Sequence, residues 1–160
     1  MTISTFTTVH VILSLIGILA GLIALYGMVH SNPMRTVTAL FLAMTVATVV
    51  TGFFFPFTGV TPAFITGIAT TIFLVPALAG LYLFHLQGDW RSLYVIGAVV
   101  SLYLNSFALV VQSFLKIPVF NALAPEGTEP PLLIAQGAVL IFFIAAGILA
   151  YRRFHPLQPV

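Results

Sequence analysis

The chain has 160 residues, of which 61% are hydrophobic and 5% are charged, and its mean hydropathy is +1.19. A soluble domain carries about 25% charged residues, so this composition predicts an integral membrane protein with almost no soluble part. The formal net charge of +2 rests on five basic and three acidic residues, too few to form a basic surface for nucleic acid. Cysteine is absent, which excludes disulfides, thiol chemistry and cysteine ligation of a metal.

The first apolar stretch covers residues 8–30 and is predicted to be the first membrane span. The segment before it contains no Lys or Arg and so lacks the charged region of a signal peptide, and we expect the span to be retained. Gly17 and Gly21 form a GxxxG motif, at which another helix backbone can approach closely. We interpret this motif as a packing seam.

The second span is predicted over residues 35–55, after a break at Pro33. Its threonines are expected to donate to backbone carbonyls of their own helix, as hydroxyls in membrane helices commonly do. The phenylalanine-rich run from Phe53 to Phe57 suits a packing wedge at the edge of the membrane.

The third span is predicted over residues 63–86, after a short turn. Pro76 near its centre lacks a backbone donor and clashes with the carbonyl of Ile72, which predicts a kink. Trp90 and Arg91 in the next loop are typical of an anchor at the membrane–water interface.

The fourth span, residues 91–116, carries polar residues on one helical face. Their spacings of seven, four, seven and four return to nearly the same angle at about 100° per residue. Asn105 falls near the middle of the span, where hydrocarbon offers no partner, so we expect its amide to be hydrogen-bonded inside the bundle. The other helices should therefore pack around this face, which contains Tyr94, Ser101, Asn105, Gln112 and Lys116.

The longest connection follows, with Glu126 and Glu129, and leads to a fifth span over residues 132–151. The whole pattern predicts an all-α integral membrane bundle of five transmembrane helices, forming a single domain over residues 1–160.

Basic residues are distributed unevenly over the two sides of this bundle. Four arginines, Arg35, Arg91, Arg152 and Arg153, fall on one side, and Lys116 falls on the other. The positive-inside rule therefore predicts that the N-terminus is outside and the C-terminus is in the cytoplasm.

Several polar residues then fall in the outer half of the membrane. We predict that they border a cavity, with Lys116 and Thr51 at its rim. The cavity would take a ligand with a polar or anionic head and an apolar tail. The candidate ligand-binding residues are His10, Thr51, Asn105, Gln112, Lys116 and Gln136.

Two stretches resemble sequences of a known group of proteins. TALFLAMTVATVVTGFFFPF (residues 38–57) and LYLNSFALVVQSFLKIP (residues 102–118) resemble those of small uncharacterised inner-membrane proteins of proteobacteria. The resemblance covers most of the chain and implies a bacterial inner-membrane location. It implies no activity and no functional residues.

Catalysis is not favoured, because acid–base and nucleophilic mechanisms need paired groups and no Asp or Glu lies within a span. Lys116 ends a helix, where a lysine normally extends to the headgroups rather than forming a Schiff base. The four histidines are scattered over both sides, so no catalytic residue, metal site or cofactor is predicted. A haem held between His30 and His85 is kept as an alternative.

Two classes of function fit these residues. The first is an assembly or accessory subunit, or a binder of a lipid-like or quinone-like ligand. Its partners would be membrane lipids and another membrane subunit or a second copy, not nucleic acid. The second is a channel or transporter for a small neutral or anionic solute, which a chain of this size would form as an oligomer. A purely structural hydrogen-bond network between helices is also consistent, since such bonds contribute about 0.6 kcal/mol each.

Overall fold

The computed structural model describes residues 3–56 and 59–156, and each regular element in that part of the chain is a helix. Five helices are long and apolar enough to cross a membrane, which confirms the predicted all-α fold with five spans. They are α1 (Ile3–Val29), α2 (Arg35–Phe53), α3 (Pro62–Leu78), α4 (Asp89–Lys116) and α6 (Pro130–Arg153).

The observed bounds differ from the predicted ones mainly at the ends. The helix α1 begins at Ile3 rather than at residue 8, because the polar turn before the apolar stretch is also helical. A short helix, α5 (Pro118–Asn121), lies in the connection between α4 and α6 and was not predicted. Phe57 and Thr58 of the predicted wedge and turn, and residues 1–2 and 157–160, lie outside the described residues.

The first four long helices form an up-and-down bundle. Each packs on its neighbour in the chain, and α4 returns to α1 to close the ring. The last helix, α6, lies outside this ring against α1 and α4, and it is the least buried of the five. Its outer face presents Leu133, Ile134 and Ile141 to the lipid.

Glycines permit the closest approaches between helices. A Cβ added at Gly21 would lie 2.8 Å from Cδ2 of Phe41 in α2 and 2.5 Å from Cδ1 of Leu102 in α4. A Cβ at Gly17 would lie 3.3 Å from that of Met44. The GxxxG seam therefore packs α1 against α2 and α4.

The contact between α3 and α4 depends on Gly97 in the same way. A Cβ there would lie 2.9 Å from that of Ala77 and would collide with the carbonyl oxygen of Phe73. The irregularity that follows Pro76 in α3 is a π-helical segment, Ala79–Leu83. Beyond this segment Phe84 stacks on Trp90, with ring centroids 3.8 Å apart.

The C-terminal segment closes the end of the bundle at which α1 ends. Arg91 Nη1 donates to the carbonyl oxygens of Tyr151 and Phe154, both at 3.0 Å, and so satisfies acceptors at the end of α6. Phe154 is 1% exposed and packs against Tyr94. The backbone N–H of His155 donates to Ser31 Oγ at 2.9 Å.

The α3–α4 contact predicts a large effect of a single methyl group. Gly97→Ala should lower the free energy of unfolding by about 1–3 kcal/mol, because neither Ala77 nor the Phe73 carbonyl can move away cheaply. Unfolding of the purified protein in mixed detergent micelles would measure the loss. Gly137→Ala is the matched control, since a Cβ at Gly137 meets no atom within 4 Å. Equal losses in the two variants would contradict this account of the packing.

Candidate functional site

A cavity of about 580 Å³ lies inside the ring of four helices, at the end where α1 begins and α2 ends. All four helices of the ring contribute to its walls, together with residues of the α2–α3 connection. We call the membrane-surface end of the cavity, at Lys116 and Ile117, its mouth, and the end at Asn105 its floor.

The structure brings four of the six candidate residues to this cavity. His10 lines it from α1, and Asn105, Gln112 and Lys116 line it from α4. Thr51 lies behind His10 in α2, with its Oγ1 atom 2.8 Å from His10 Nδ1. Tyr94 and Ser101, on the same face of α4, are buried below the cavity, so this face points into the bundle along its length.

Gln136 is not part of the cavity wall, and its predicted place at the border was wrong. Its Nε2 donates to the carbonyl oxygen of Phe107 in α4 at 3.1 Å, while its Oε1 is buried without a partner among the described residues. The position of Gln136 in its span predicted its depth in the membrane but not the direction in which its side chain points. Because α6 packs on the outside of the ring, a residue at the right height still misses the interior.

The heights of the wall residues follow from one contact between antiparallel helices, that of Gly21 in α1 with Leu102 in α4. At a rise of about 1.5 Å per residue, His10 lies about 16 Å and Gln112 about 15 Å above this contact. Asn105 lies only about 4.5 Å above it. His10 and Gln112 thus share a level near the mouth, and Asn105 lies roughly 10 Å deeper.

Most hydroxyl groups of the wall are already used within their own helices. Ser14 donates to the carbonyl of His10 at 2.9 Å, Thr48 to that of Met44 at 2.8 Å, and Thr70 to that of Thr66 at 2.8 Å. The bond of Thr48, like that of Thr45 to the carbonyl of Phe41, agrees with the prediction for the threonines of the second span. They leave the hydroxyl oxygens able to accept a bond from a ligand but not to donate one.

Asn105 is different, because its Nδ2 atom is buried and has no hydrogen-bond partner among the described residues. The residue faces the interior as predicted, but the expected hydrogen bond of this amide nitrogen is not formed. A buried donor without a partner costs about 1–3 kcal/mol. Asn105 lines the floor of the cavity, but its Nδ2 atom has almost no accessible surface and is therefore not exposed to the cavity.

The His10 ring is held from several sides. Its edge-to-face contact with Phe55 has ring centroids 5.3 Å apart and an interplanar angle of 88°. Gly52 leaves space for the ring, since a Cβ there would lie 3.6 Å from His10 Cε1. Phe55 and Gly52 also line the cavity and were not predicted as site residues. The signal in the sequence was the Gly-Phe run that ends the second span at the level of His10.

Below the floor the ring is packed. Ile18, Phe41 and Leu102, from three different helices, are 6%, 1% and 1% exposed. The cavity is therefore closed on the side that faces this dense core.

His30 and His85 lie at the other end of the bundle, and both are exposed. His30 Nδ1 is 2.8 Å from the carbonyl oxygen of Tyr26, and its ring lies 4.1 Å from the Tyr26 ring. Among the described residues, no group of three or more His, Asp or Glu side chains is arranged to hold a metal ion.

No protein-family model, curated protein or solved structure matches the chain. The resemblance to proteobacterial inner-membrane proteins stays a prediction.

Removing the Asn105 amide should not destabilise the fold. Asn105→Leu should leave the free energy of unfolding unchanged or raise it by up to about 1–3 kcal/mol, since an unpaired buried donor disappears. Gln136→Leu is the control, since it breaks a bond that is formed and should lower stability by about 0.6 kcal/mol. Unfolding of both variants without added ligand would test this, and a marked loss for Asn105→Leu would show that its amide has a structural role.

Proposed function

We propose that the protein binds a small amphipathic molecule, lipid-like or quinone-like, in the cavity between α1 and α4. The observation that carries the proposal is the cavity itself, whose apolar wall includes the polar side chains of His10, Asn105 and Gln112. A volume of about 580 Å³ falls within the range of roughly 300–1,000 Å³ that is typical of small-molecule sites.

The composition of the wall supports an amphipathic ligand. Leu15, Val49, Phe53, Leu104 and Leu109 supply apolar surface, and a few polar groups are placed between them. This mixture suits a ligand whose body is buried by the hydrophobic effect and whose orientation is fixed by a small number of hydrogen bonds.

A purely structural network is less well supported. The hydroxyls described above bond within their own helices, and Asn105 Nδ2 bonds to nothing in the described part of the chain. His10 and Thr51 do connect α1 to α2. Continuous transport is also less well supported, because the core beneath the floor is packed.

We further propose that the protein lies in a bacterial inner membrane with the mouth of the cavity on the outer side. The support is the predicted resemblance and the excess of arginine at the opposite end, where Arg35, Arg91, Arg152 and Arg153 lie. Lys116 stands at the mouth and is exposed, so its ammonium group can reach the headgroup region.

The orientation predicts the behaviour of fusions placed after Val160. A fluorescent protein that matures only in the cytoplasm should be fluorescent there, and alkaline phosphatase at the same position should be inactive. An active phosphatase at this position would show that the C-terminus lies outside the cytoplasm and that the cavity lies on the cytoplasmic side.

If the cavity holds a ligand, a larger side chain in its wall should displace that ligand. Ala108→Phe places a ring in the cavity wall, whereas Ala138→Phe adds the same ring to the exposed side of α6. Mass spectrometry of lipid extracts from purified protein should show a molecule reduced at least about tenfold in Ala108→Phe, equivalent to ~1.4 kcal/mol of affinity. It should be unchanged in Ala138→Phe. Equal amounts in wild type and Ala108→Phe would leave the cavity without a ligand and overturn the proposal.

A further inference from the structure

One stripe of α1 is covered in the packed core and uncovered beside the cavity. Val11, Ile18 and Leu25 are spaced by seven residues and therefore lie on the same side of the helix. Ile18 and Leu25 are 6% and 4% exposed, whereas Val11 is 41% exposed and lines the cavity. Leu15, on the adjoining side of α1, is 40% exposed and also lines it. The helices that cover this stripe at Ile18 therefore do not cover it near the mouth.

The face of α4 that meets α1 shows the same change. Leu102 packs against Gly21 and is 1% exposed. Leu109 and Lys116 follow on this face at spacings of seven, and both line the cavity. Leu109 is half-buried and Lys116 is exposed. The two helices therefore touch at the level of Gly21 and leave a gap between them from there to the mouth. We call this space, bordered by Val11, Leu15 and Leu109, the α1–α4 gap.

The last helix leaves the gap open, because it packs on a different face of α4. Gln136 of α6 donates to the carbonyl oxygen of Phe107 at 3.1 Å. The Phe143 ring of α6 lies edge-on against the Tyr103 ring, with centroids 5.9 Å apart. The exposure of Val11 is consistent with this placement of α6.

Two other seams of the ring are closed by side chains at the level of the cavity. His10 and Thr51 join α1 to α2 through the 2.8 Å contact of Nδ1 with Oγ1. Phe53 of α2 and Phe64 of α3 meet edge to face, with ring centroids 5.7 Å apart. The α1–α4 gap is therefore the side on which the apolar wall of the cavity continues to the lipid.

The depth of the cavity matches one leaflet of a membrane. Asn105 at the floor and Lys116 at the mouth are eleven residues apart in α4, which is about 16 Å along the helix axis. The hydrocarbon core of a bilayer is about 30 Å thick, so one leaflet contributes about half of that. An acyl chain that extends from the membrane surface to the midplane therefore has the length of this cavity.

The mouth carries a positive charge at the level of the lipid headgroups. Lys116 is exposed there, and the other four basic residues of the chain are the arginines at the opposite end. Gln112, one turn deeper in the same wall, adds an exposed amide. The Glu129 carboxylate of the following loop accepts from the backbone N–H groups of Glu126 and Thr128, at 2.8 and 2.9 Å, and so is engaged within its own loop. An anionic head is the charge complement of this mouth.

We propose, on the basis of the function proposed above, that the cavity takes one acyl chain of an anionic membrane lipid through the α1–α4 gap. The chain lies along the apolar wall, and the anionic head stays at the membrane surface beside Lys116. Because the gap faces the lipid, the ligand moves sideways from the bilayer and need not cross water. The inference narrows the ligand from any amphipathic molecule to a lipid with an acyl chain and an anionic head.

Two photoreactive probes that differ only in the head test the charge. They are palmitic acid and hexadecanol, each with a diazirine in the middle of the chain. Each is added to the full chain in phosphatidylcholine nanodiscs at mildly alkaline pH, where the carboxylate is the only lipid head with a net negative charge. Mass spectrometry then measures how much probe is attached to the peptides of the cavity wall.

Replacing the lysine should affect the acid and not the alcohol. Lys116→Gln should reduce labelling by the acid about two- to fivefold, as expected for an exposed ion pair, and should leave labelling by hexadecanol unchanged. Lys116→Arg should restore the labelling by the acid, because it restores the charge. Arg153→Gln removes a positive charge at the opposite end of the bundle and is the matched control, with no effect on either probe.

The route is tested in the wild-type chain, so the result does not depend on how a variant folds. The protein is placed in phosphatidylglycerol nanodiscs in which the acyl chains carry a diazirine. The open gap predicts that the lipid attaches to Val11 and Leu109 as well as to the outward-facing Ile12, and that it does not attach to Leu102 in the packed contact. Attachment to Ile12 without attachment to Val11 or Leu109 would overturn the lateral route.

The outcomes separate this inference from the proposed function. If the acid and the alcohol label the wall equally and Lys116→Gln changes neither, the anionic head is overturned. The proposed function still stands in that case when Ala108→Phe removes the labelling of the wall. If Ala108→Phe leaves the labelling by every probe unchanged, both the inference and the proposed function fail.

Discussion

Hydrocarbon cannot hydrogen-bond to a polar side chain, and this constraint accounts for the position of the polar groups in the spans. Ser14, Thr48 and Thr70 satisfy it within their own helix, through the carbonyl four residues earlier. Gln136 satisfies part of it across the α4–α6 contact. Asn105 Nδ2 does not satisfy it within the described part of the chain. That departure is the feature of the fold that most needs a cause beyond packing.

The shape of the bundle explains why Asn105 lies at the boundary between a packed core and a cavity. Gly21 brings α1 close to α2 and α4, and Gly97 brings α4 close to α3, so the middle of the ring and the part nearer the arginines pack densely. Toward the other end, His10 and Ser14 of α1 line the cavity. Asn105 sits about one helical turn above this boundary.

The sequence contained more information about depth than about direction. Hydropathy located the five spans, and the spacing of Tyr94, Ser101 and Asn105 identified the inward face of α4, because helical periodicity relates residues of one helix to each other. Periodicity does not relate residues of different helices. Gln136 was therefore placed at the cavity from its depth alone, although α6 lies outside the ring. The pairing of His10 with Thr51 depended on the same missing information, since the sequence placed both residues in the outer half of the membrane but not side by side.

The local irregularities were harder still to predict. The π-helical segment Ala79–Leu83 and the short helix α5 have no strong pattern in the sequence, because each depends on contacts formed after the long helices pack. The site is similar in this respect. Sequence supplied the polar residues, and the packing of α2 against α1 brought Thr51 Oγ1 within hydrogen-bond distance of His10 Nδ1.

Asn105 and His10 both line the cavity, and their contacts bear on whether it binds a ligand. A bundle selected only for stability would replace Asn105 with an apolar residue, since the amide makes no bond in the described structure that offsets its desolvation. Ser101 Oγ and Gln136 Oε1 are also buried without a partner among the described residues, and Asn105 differs from both in lining the cavity. The His10 ring is held by Thr51 at its Nδ1 atom and edge-to-face against Phe55, so little orientational entropy would be lost if a ligand bound to it.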